Sequence, residues 1–183
     1  MLYPLGRKSS CCQTAIGART VVALLALGFM LGLTNVSNAQ SGSVERFSAD
    51  SGLHRAAHRG DVVSLQRELD AETDPNAINR FGVTPLSLAC TGGHVEAITL
   101  LLNAGADPNH ASPSGETPLM VAARTGVIDS VVALLEHGAD PLARESWMGQ
   151  TALMWAAAER HAGVIAPLAE AGADVNRRTD SGF

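Results

Sequence analysis

Aromatic residues are scarce in this chain: two Trp, one Tyr and four Phe among 183 residues. A sheet core filled by large rings is therefore excluded, and an apolar fraction of 46% falls mostly to Ala, Leu and Val, which suits tight packing of short helices. Lysine is missing after Lys8, and no acidic residue precedes Glu45. From Gln40 onward ten arginines stand against eighteen acids, a formal charge of −8. A nucleic-acid binder needs a basic face to displace counterions from phosphates, and this sign argues against DNA or RNA as the partner. Also missing are G-x-S-x-G, G-x-x-x-x-G-K-[ST] and G-x-G-x-x-G, so no nucleophile elbow or phosphate cradle is expected. Cysteine is limited to Cys11, Cys12 and Cys90.

What the first forty residues do contain is a leader. Arg7, Lys8 and Arg19 precede the uncharged apolar run Val21–Leu33, and a polar stretch ends Val36-Ser37-Asn38-Ala39-Gln40. A basic region, a short apolar core and small residues at Ser37 and Ala39 form the pattern of a secretory signal peptide cut after Ala39. An uncleaved membrane anchor is the competing reading. Thirteen apolar residues rise only about 20 Å as a helix, short of a hydrocarbon core of about 30 Å. The mature protein is thus expected in the periplasm or outside the cell, without a membrane anchor. Cys11 and Cys12 leave with the leader, so Cys90 has no disulfide partner and packing alone must hold the fold.

Self-comparison reveals a repeat. Leu53, Leu86, Leu119 and Leu153 fall 33, 33 and 34 residues apart. Gly105-Ala106-Asp107 recurs as Gly138-Ala139-Asp140 and Gly172-Ala173-Asp174, and Gly82-Val83-Thr84-Pro85-Leu86 recurs as Gly115-Glu116-Thr117-Pro118-Leu119 and, more loosely, Gly149-Gln150-Thr151-Ala152-Leu153. The one extra residue lies between Asp140 and Gly149. Each copy reads as two antiparallel helices and a turn. Thr84 or Thr117 caps the first helix with Pro at its first position, and Gly93 or Gly126 ends it. The second helix starts near His94 or Val127, buries Ile98, Leu101 and Leu102 or Val131, Leu134 and Leu135, and is closed by Gly105 or Gly138.

These residues resemble the ankyrin repeat, whose pattern includes G-x-T-P-L, A-A-x-x-G-H and L-L-x-x-G-A-D-x-N. The resemblance covers about residues 52 to 183 and implies an all-α solenoid of stacked helix-turn-helix units with β-hairpin-like connecting tips. The expected organisation is a signal peptide (1–39), a short lead-in (40–51), repeats at 52–80, 81–113, 114–147 and 148–180, and the start of a fifth at 181–183. More narrowly, the chain resembles exported bacterial ankyrin proteins, in which G-V-T-P-L-S-L-A and T-A-L-M-W-A-A-A recur. The function implied is a non-catalytic protein–protein interaction module that binds its partner on the concave palm of first helices and on the tips. That maps the tips to Asn79-Arg80-Phe81, Ser112-Pro113-Ser114 and Glu145-Ser146-Trp147-Met148. The palm then includes His58, Arg59, Thr91, Arg124, Ala158 and Glu159.

The partner-binding candidates are Arg80, Phe81, Arg124, Arg144, Trp147, Met148 and Glu159, with no catalytic residue, cofactor, metal or small-molecule substrate expected. Trp147, beside the insertion, is either an interface anchor or a ring folded onto its own stack against Trp155. Trp155 aligns with Leu88 and Val121 and is expected mostly in the core. His54 and His58 have a metal-compatible spacing but no further ligands, so structural or solvent-facing roles are expected. His94 and His161 should bond the backbone, and Cys90, aligned with Ala57, Ala123 and Ala157, should be a buried inert thiol.

Departures mark the two ends. The first copy has Glu68 at a core-leucine position and Glu72 in place of the closing Gly, as suits a capping repeat. In the fourth, Pro167 falls inside the second helix and is expected to kink or shorten it. Thr179-Asp180-Ser181-Gly182-Phe183 reads as an unfinished fifth copy, the expectation being a fragment or a partner-covered end. On that footing a second function stays open: an accessory domain of a larger exported enzyme or haem protein whose catalytic part lies beyond Phe183.

Overall fold

The copies begin alike because alike residues begin them. Thr84 and Thr117 are extended, and each hydroxyl accepts a hydrogen bond from the amide three residues on, Ser87 at 3.3 Å and Met120 at 3.4 Å. Pro85 and Pro118 follow, where a missing N–H loses nothing. Ser51 caps the first copy in the same way through the His54 amide. The computed structural model describes residues 51–182. The predicted signal peptide with its cut after Ala39, the lead-in up to residue 50, and Phe183 lie outside the described residues.

Eight helices form among the described residues, in four antiparallel pairs: α1 (Gly52–Arg59) with α2 (Val62–Asp70), α3 (Pro85–Gly92) with α4 (Val95–Asn103), α5 (Pro118–Thr125) with α6 (Ile128–Glu136), and α7 (Ala152–Ala158) with α8 (Ala162–Glu170). The first helices α1, α3, α5 and α7 pack in succession as one layer, and the second helices α2, α4, α6 and α8 form the other. Between the layers Leu53, Leu65, Leu86, Ile98, Leu101, Leu119, Val131, Leu134, Val164 and Leu168 are fully buried. Each such side chain contributes roughly 1.5–3 kcal/mol of burial. Ala57, Ala89, Cys90, Ala122, Ala123 and Ala156, also buried, are small enough to let neighbouring first helices approach.

The chain is all-α, as its periodicity predicts. No strand forms among the described residues. The tips are turns closed by hairpin-type bonds, the amides of Asn79, Ser112 and Glu145 donating to the carbonyls of Val83, Glu116 and Gln150 at 3.1, 2.9 and 3.1 Å.

Side chains fasten one copy to the next. Asn76 donates to the Gly105 carbonyl at 3.0 Å and accepts from the Asp107 amide at 2.7 Å, and Asn109 repeats this on Gly138 and Asp140 at 2.9 and 2.8 Å. Buried His54 donates from Nε2 to the Val83 carbonyl at 3.1 Å, which leaves Nδ1 to accept from the Ser51 hydroxyl at 2.6 Å. His94 and His161 donate to the carbonyls of His58 and Arg124 at 3.2 and 3.0 Å, the backbone role expected of them.

The first helices close on left-handed residues, and Gly126 (φ 74°) shows why glycine is needed: a Cβ there would run into the His161 ring of the next copy. The fourth copy has Arg160 (φ 62°) at the equivalent place, and Glu72 (φ 59°) takes the left-handed position at the end of α2. A side chain is strained in that conformation by roughly 1–2 kcal/mol. Of the two effects expected of Pro167, a kink or a shorter helix, the shortening does not occur: α8 keeps nine residues, the same as α2, α4 and α6. Val164 and Leu168, four apart and both fully buried, hold the helix against the core across the proline.

Candidate partner-binding face

Each tip is built on one polar residue that gathers the backbone amides of its own turn. In the first, the Asn79 carbonyl oxygen accepts from the amides of Phe81 and Val83 at 2.9 and 3.0 Å; in the second, the Ser112 hydroxyl accepts from the Glu116 amide at 3.2 Å. Glu145 holds the matching place in the third, and three residues separate it from Gly149 where the other tips have two. The insertion is thereby located within Ser146-Trp147-Met148. A wider turn needs a longer acceptor, and the Glu145 carboxylate takes the amides of Trp147, Met148 and Gln150 at 2.5, 2.6 and 3.0 Å. Glu145 is only 7% exposed. Desolvation pushes its pKa up, but the amides of Gln150, Trp147 and Met148 outweigh it and hold the carboxyl below the ordinary glutamate range.

The tips stand in a row. Pro113 packs against Gly82, the Ser146 amide donates to the Ser114 carbonyl at 3.0 Å, and the Asp180 amide donates to the Met148 carbonyl at 2.9 Å. On this braced row Trp147 is 83% exposed and Phe81 62% exposed. Of the two fates open to Trp147, projection into solvent is the one observed, and it does not fold against Trp155. Arg80 is exposed and lies over the Phe81 ring, its guanidinium carbon 4.7 Å from the centroid. Met148 is half-buried. Arg144 is engaged within the stack, paired with Asp180 and donating to the Gly149 carbonyl at 3.0 Å.

Beside the tips runs the outer surface of the first helices, where His58, Arg59, Thr91, Ala158 and Glu159 are exposed. Arg124 is half-buried, its guanidinium 5.0 Å from the centroid of the Trp155 ring. This corrects the expectation for Trp155, which is half-buried at the surface of its layer and not in the core. Of the two residues aligned with it, Leu88 is likewise half-buried while Val121 is buried, so the repeat position alone does not set burial. The Trp155 indole N–H is shielded and has no acceptor.

Residue patterns missed two parts of this arrangement, the bracing role of Glu145 and the Arg124–Trp155 stack. The first had a signal, an acid at the turn-gathering position of the one copy with an extra residue. The second had none, since it joins two copies. No group of three or more His, Cys, Asp or Glu that could hold a metal occurs among the described residues. Cys90 is fully buried, and burial pushes its thiol pKa up, away from the reactive thiolate.

Comparison with known proteins supplies the family. Residues 53–145 match the family model for ankyrin repeats in three copies, and residues 148–180 match that for a single ankyrin repeat. Among curated proteins, cyclin-dependent kinase 4 inhibitor B of Mus musculus is 47% identical over 45 residues, 25% of this chain and 35% of that protein. The Rattus norvegicus protein of the same name is 46% identical over 44 residues, 24% of this chain and 34% of its own length. The chain thus spans about a third of the length of the curated relatives it matches.

Proposed function

From a chain that belongs to the ankyrin-repeat family, and is therefore a protein–protein interaction module, we propose a specific role: it is the binding part of an exported bacterial protein, non-catalytic, that captures another protein on its tips and first-helix face. The observation that carries this reading is Trp147, held 83% exposed on a turn that Glu145 fixes from beneath. A large ring kept in water on a rigid support loses little freedom on docking, and Trp is enriched among residues that dominate binding energy. Arg80 with Phe81 offers a second such group at the other end of the row. Export rests on the leader sequence, with its basic start, apolar core and Ser37 and Ala39 before Gln40.

Two measurements test the reading. Expressed in a bacterium, the chain is expected in the periplasm with Gln40 as its N-terminal residue; a cytoplasmic protein that keeps Met1 would refute export. Immobilised protein is expected to retain one partner from an extracellular or periplasmic extract, and Trp147→Ala combined with Arg80→Ala to lower its recovery several-fold. Recovery unchanged by that pair removes the tips from the site.

A further inference from the structure

The charges of the two helix layers are sorted by sign. The first helices carry Arg55, Arg59 and Arg124 and no acid, whereas the second helices carry Glu68, Asp70, Glu96, Asp129, Glu136 and Glu170 against Arg67 alone. The helix dipole does not account for this. It favours cations at C-terminal ends, as Arg59 and Arg124 have, but disfavours acids there. Yet Asp70, Glu136 and Glu170 all stand in the last turns of α2, α6 and α8. The layer, not the helix end, decides the sign. A chain that is acidic as a whole therefore has one cationic side.

Three arginines on that side are also unneutralised. Arg59, Arg80 and Arg124 have no carboxylate partner among the described residues, where Arg144–Asp180 is the one ion pair. Arg80 and Arg124 lie over aromatic rings instead, and a guanidinium stacked by its face keeps its N–H edge available to a planar acceptor such as carboxylate. Of the acids near the tips, Glu145 turns its carboxylate onto backbone amides. Glu116 near the second tip and exposed Glu159 at the end of α7 are acids that remain on this side.

We propose that this face takes an acidic segment of a partner protein, its carboxylates received by Arg59, Arg80 and Arg124 and its apolar side chains by Trp147 and Phe81. The proposal rests on the reading that the face docks a protein and adds the chemistry of the partner. A short acidic segment senses mainly the local arginines, because charges more than about 8–10 Å away are screened at physiological salt. A long polyanion also meets the repulsion of the acidic second layer, and its backbone leaves Trp147 and Phe81 without apolar company.

Fluorescence anisotropy on the full chain tests this with two labelled peptides of about twelve residues, one of Glu-Glu-Leu repeats and one of Lys-Lys-Leu repeats. The glutamate peptide is expected to bind and to weaken as salt rises. Arg59→Gln with Arg124→Gln, shown folded by circular dichroism, should weaken it by about fivefold while leaving the lysine peptide unchanged. Glu96→Gln with Glu136→Gln on the second layer should leave the glutamate peptide unchanged. No binding of the glutamate peptide, or binding indifferent to the arginine pair, overturns the proposal. So does tighter binding of a single-stranded oligonucleotide of equal charge, or self-association that the arginine pair disperses, which would seat a second copy's acidic layer there. If Trp147→Ala still releases a captured partner while the glutamate peptide fails to bind, the interaction module stands and its acidic partner does not.

Discussion

The seam between the second and third helix pairs and the seam between the third and fourth follow one sequence pattern to different degrees. At the first, Asn109 clamps the Gly138 carbonyl and the Asp140 amide. At the second, the residue in that place is Leu142, 53% exposed, which cannot form the clamp. The fourth pair is less regular within itself as well. Thr151 makes no side-chain cap bond, Ala152 replaces the proline, α7 has seven residues, Arg160 is left-handed and α8 carries Pro167 in its interior. In a solenoid, stability is close to a sum of repeat and seam contributions, so such defects act where they lie. The lesson concerns function: Trp147 and the Arg124–Trp155 stack belong to this weaker junction. Docking and fraying should therefore be coupled, a partner that bridges α5 and α7 stabilising the fourth pair.

The largest effects should come from the core. Leu134→Ala in α6 should cost about 3 kcal/mol in urea unfolding. Leu168→Ala in α8, an equally buried leucine, should cost less in the main transition and appear instead as faster amide exchange confined to the fourth pair. Equal losses in the main transition would break the comparison, for the fourth pair would then be fully coupled to the rest.

Exchanging the clamps comes next. Asn109→Leu removes two hydrogen bonds across its seam and should destabilise by about 1–2 kcal/mol, while Leu142→Asn should add about 1 kcal/mol by offering them to Gly172 and Asp174. Chemical denaturation of both variants reads the difference, and a neutral Leu142→Asn would mean that the last seam is held apart for another reason. Arg160→Gly relieves a left-handed side chain and should raise stability by about 1 kcal/mol. Unfolding midpoints check it, with Gly126→Ala expected to move the opposite way.

The smallest effect concerns the tips. Glu145 has a folded pKa below its unfolded one, so its contribution is full above the ordinary glutamate pKa of about 4.3 and is lost as pH falls through the depressed folded value. Amide exchange at Trp147, Met148 and Gln150 should quicken on acidification, and Glu145→Gln should mimic part of this at neutral pH. The first tip, gathered by uncharged Asn79, should show no such step. Parallel behaviour of the two tips would rule out the carboxylate as the brace.

Much of this was legible in the residues. The 33-residue period placed the helix pairs, Thr-Pro marked the starts of α3 and α5, and Gly93, Gly126 and Gly105 marked ends that are left-handed in the structure. These signals are local, a cap or a steric allowance that a few neighbouring residues settle. The shortening expected at Pro167 fails because its rule is local too, while the burial of Val164 and Leu168 on either side of it is not. The Asn clamps were visible as a recurring Asp-x-Asn, broken at Leu142, but their partners stand 29 and 31 residues away in the next copy.

By itself, then, the sequence determined the repeat, the all-α class, the helix ends and the tip positions of Arg80, Phe81, Trp147 and Met148, because backbone sterics, capping and hydrophobic period act within one copy. Only the tertiary structure decided which of these residues face water together. Stacking sets Arg124 over Trp155, ties Arg144 to Asp180 and turns Glu145 inward beneath Trp147. It also collects scattered arginines on one layer and acids on the other. Charge, exposure and hydrogen-bond partners are properties of distances between copies, and those distances exist only once the copies are stacked.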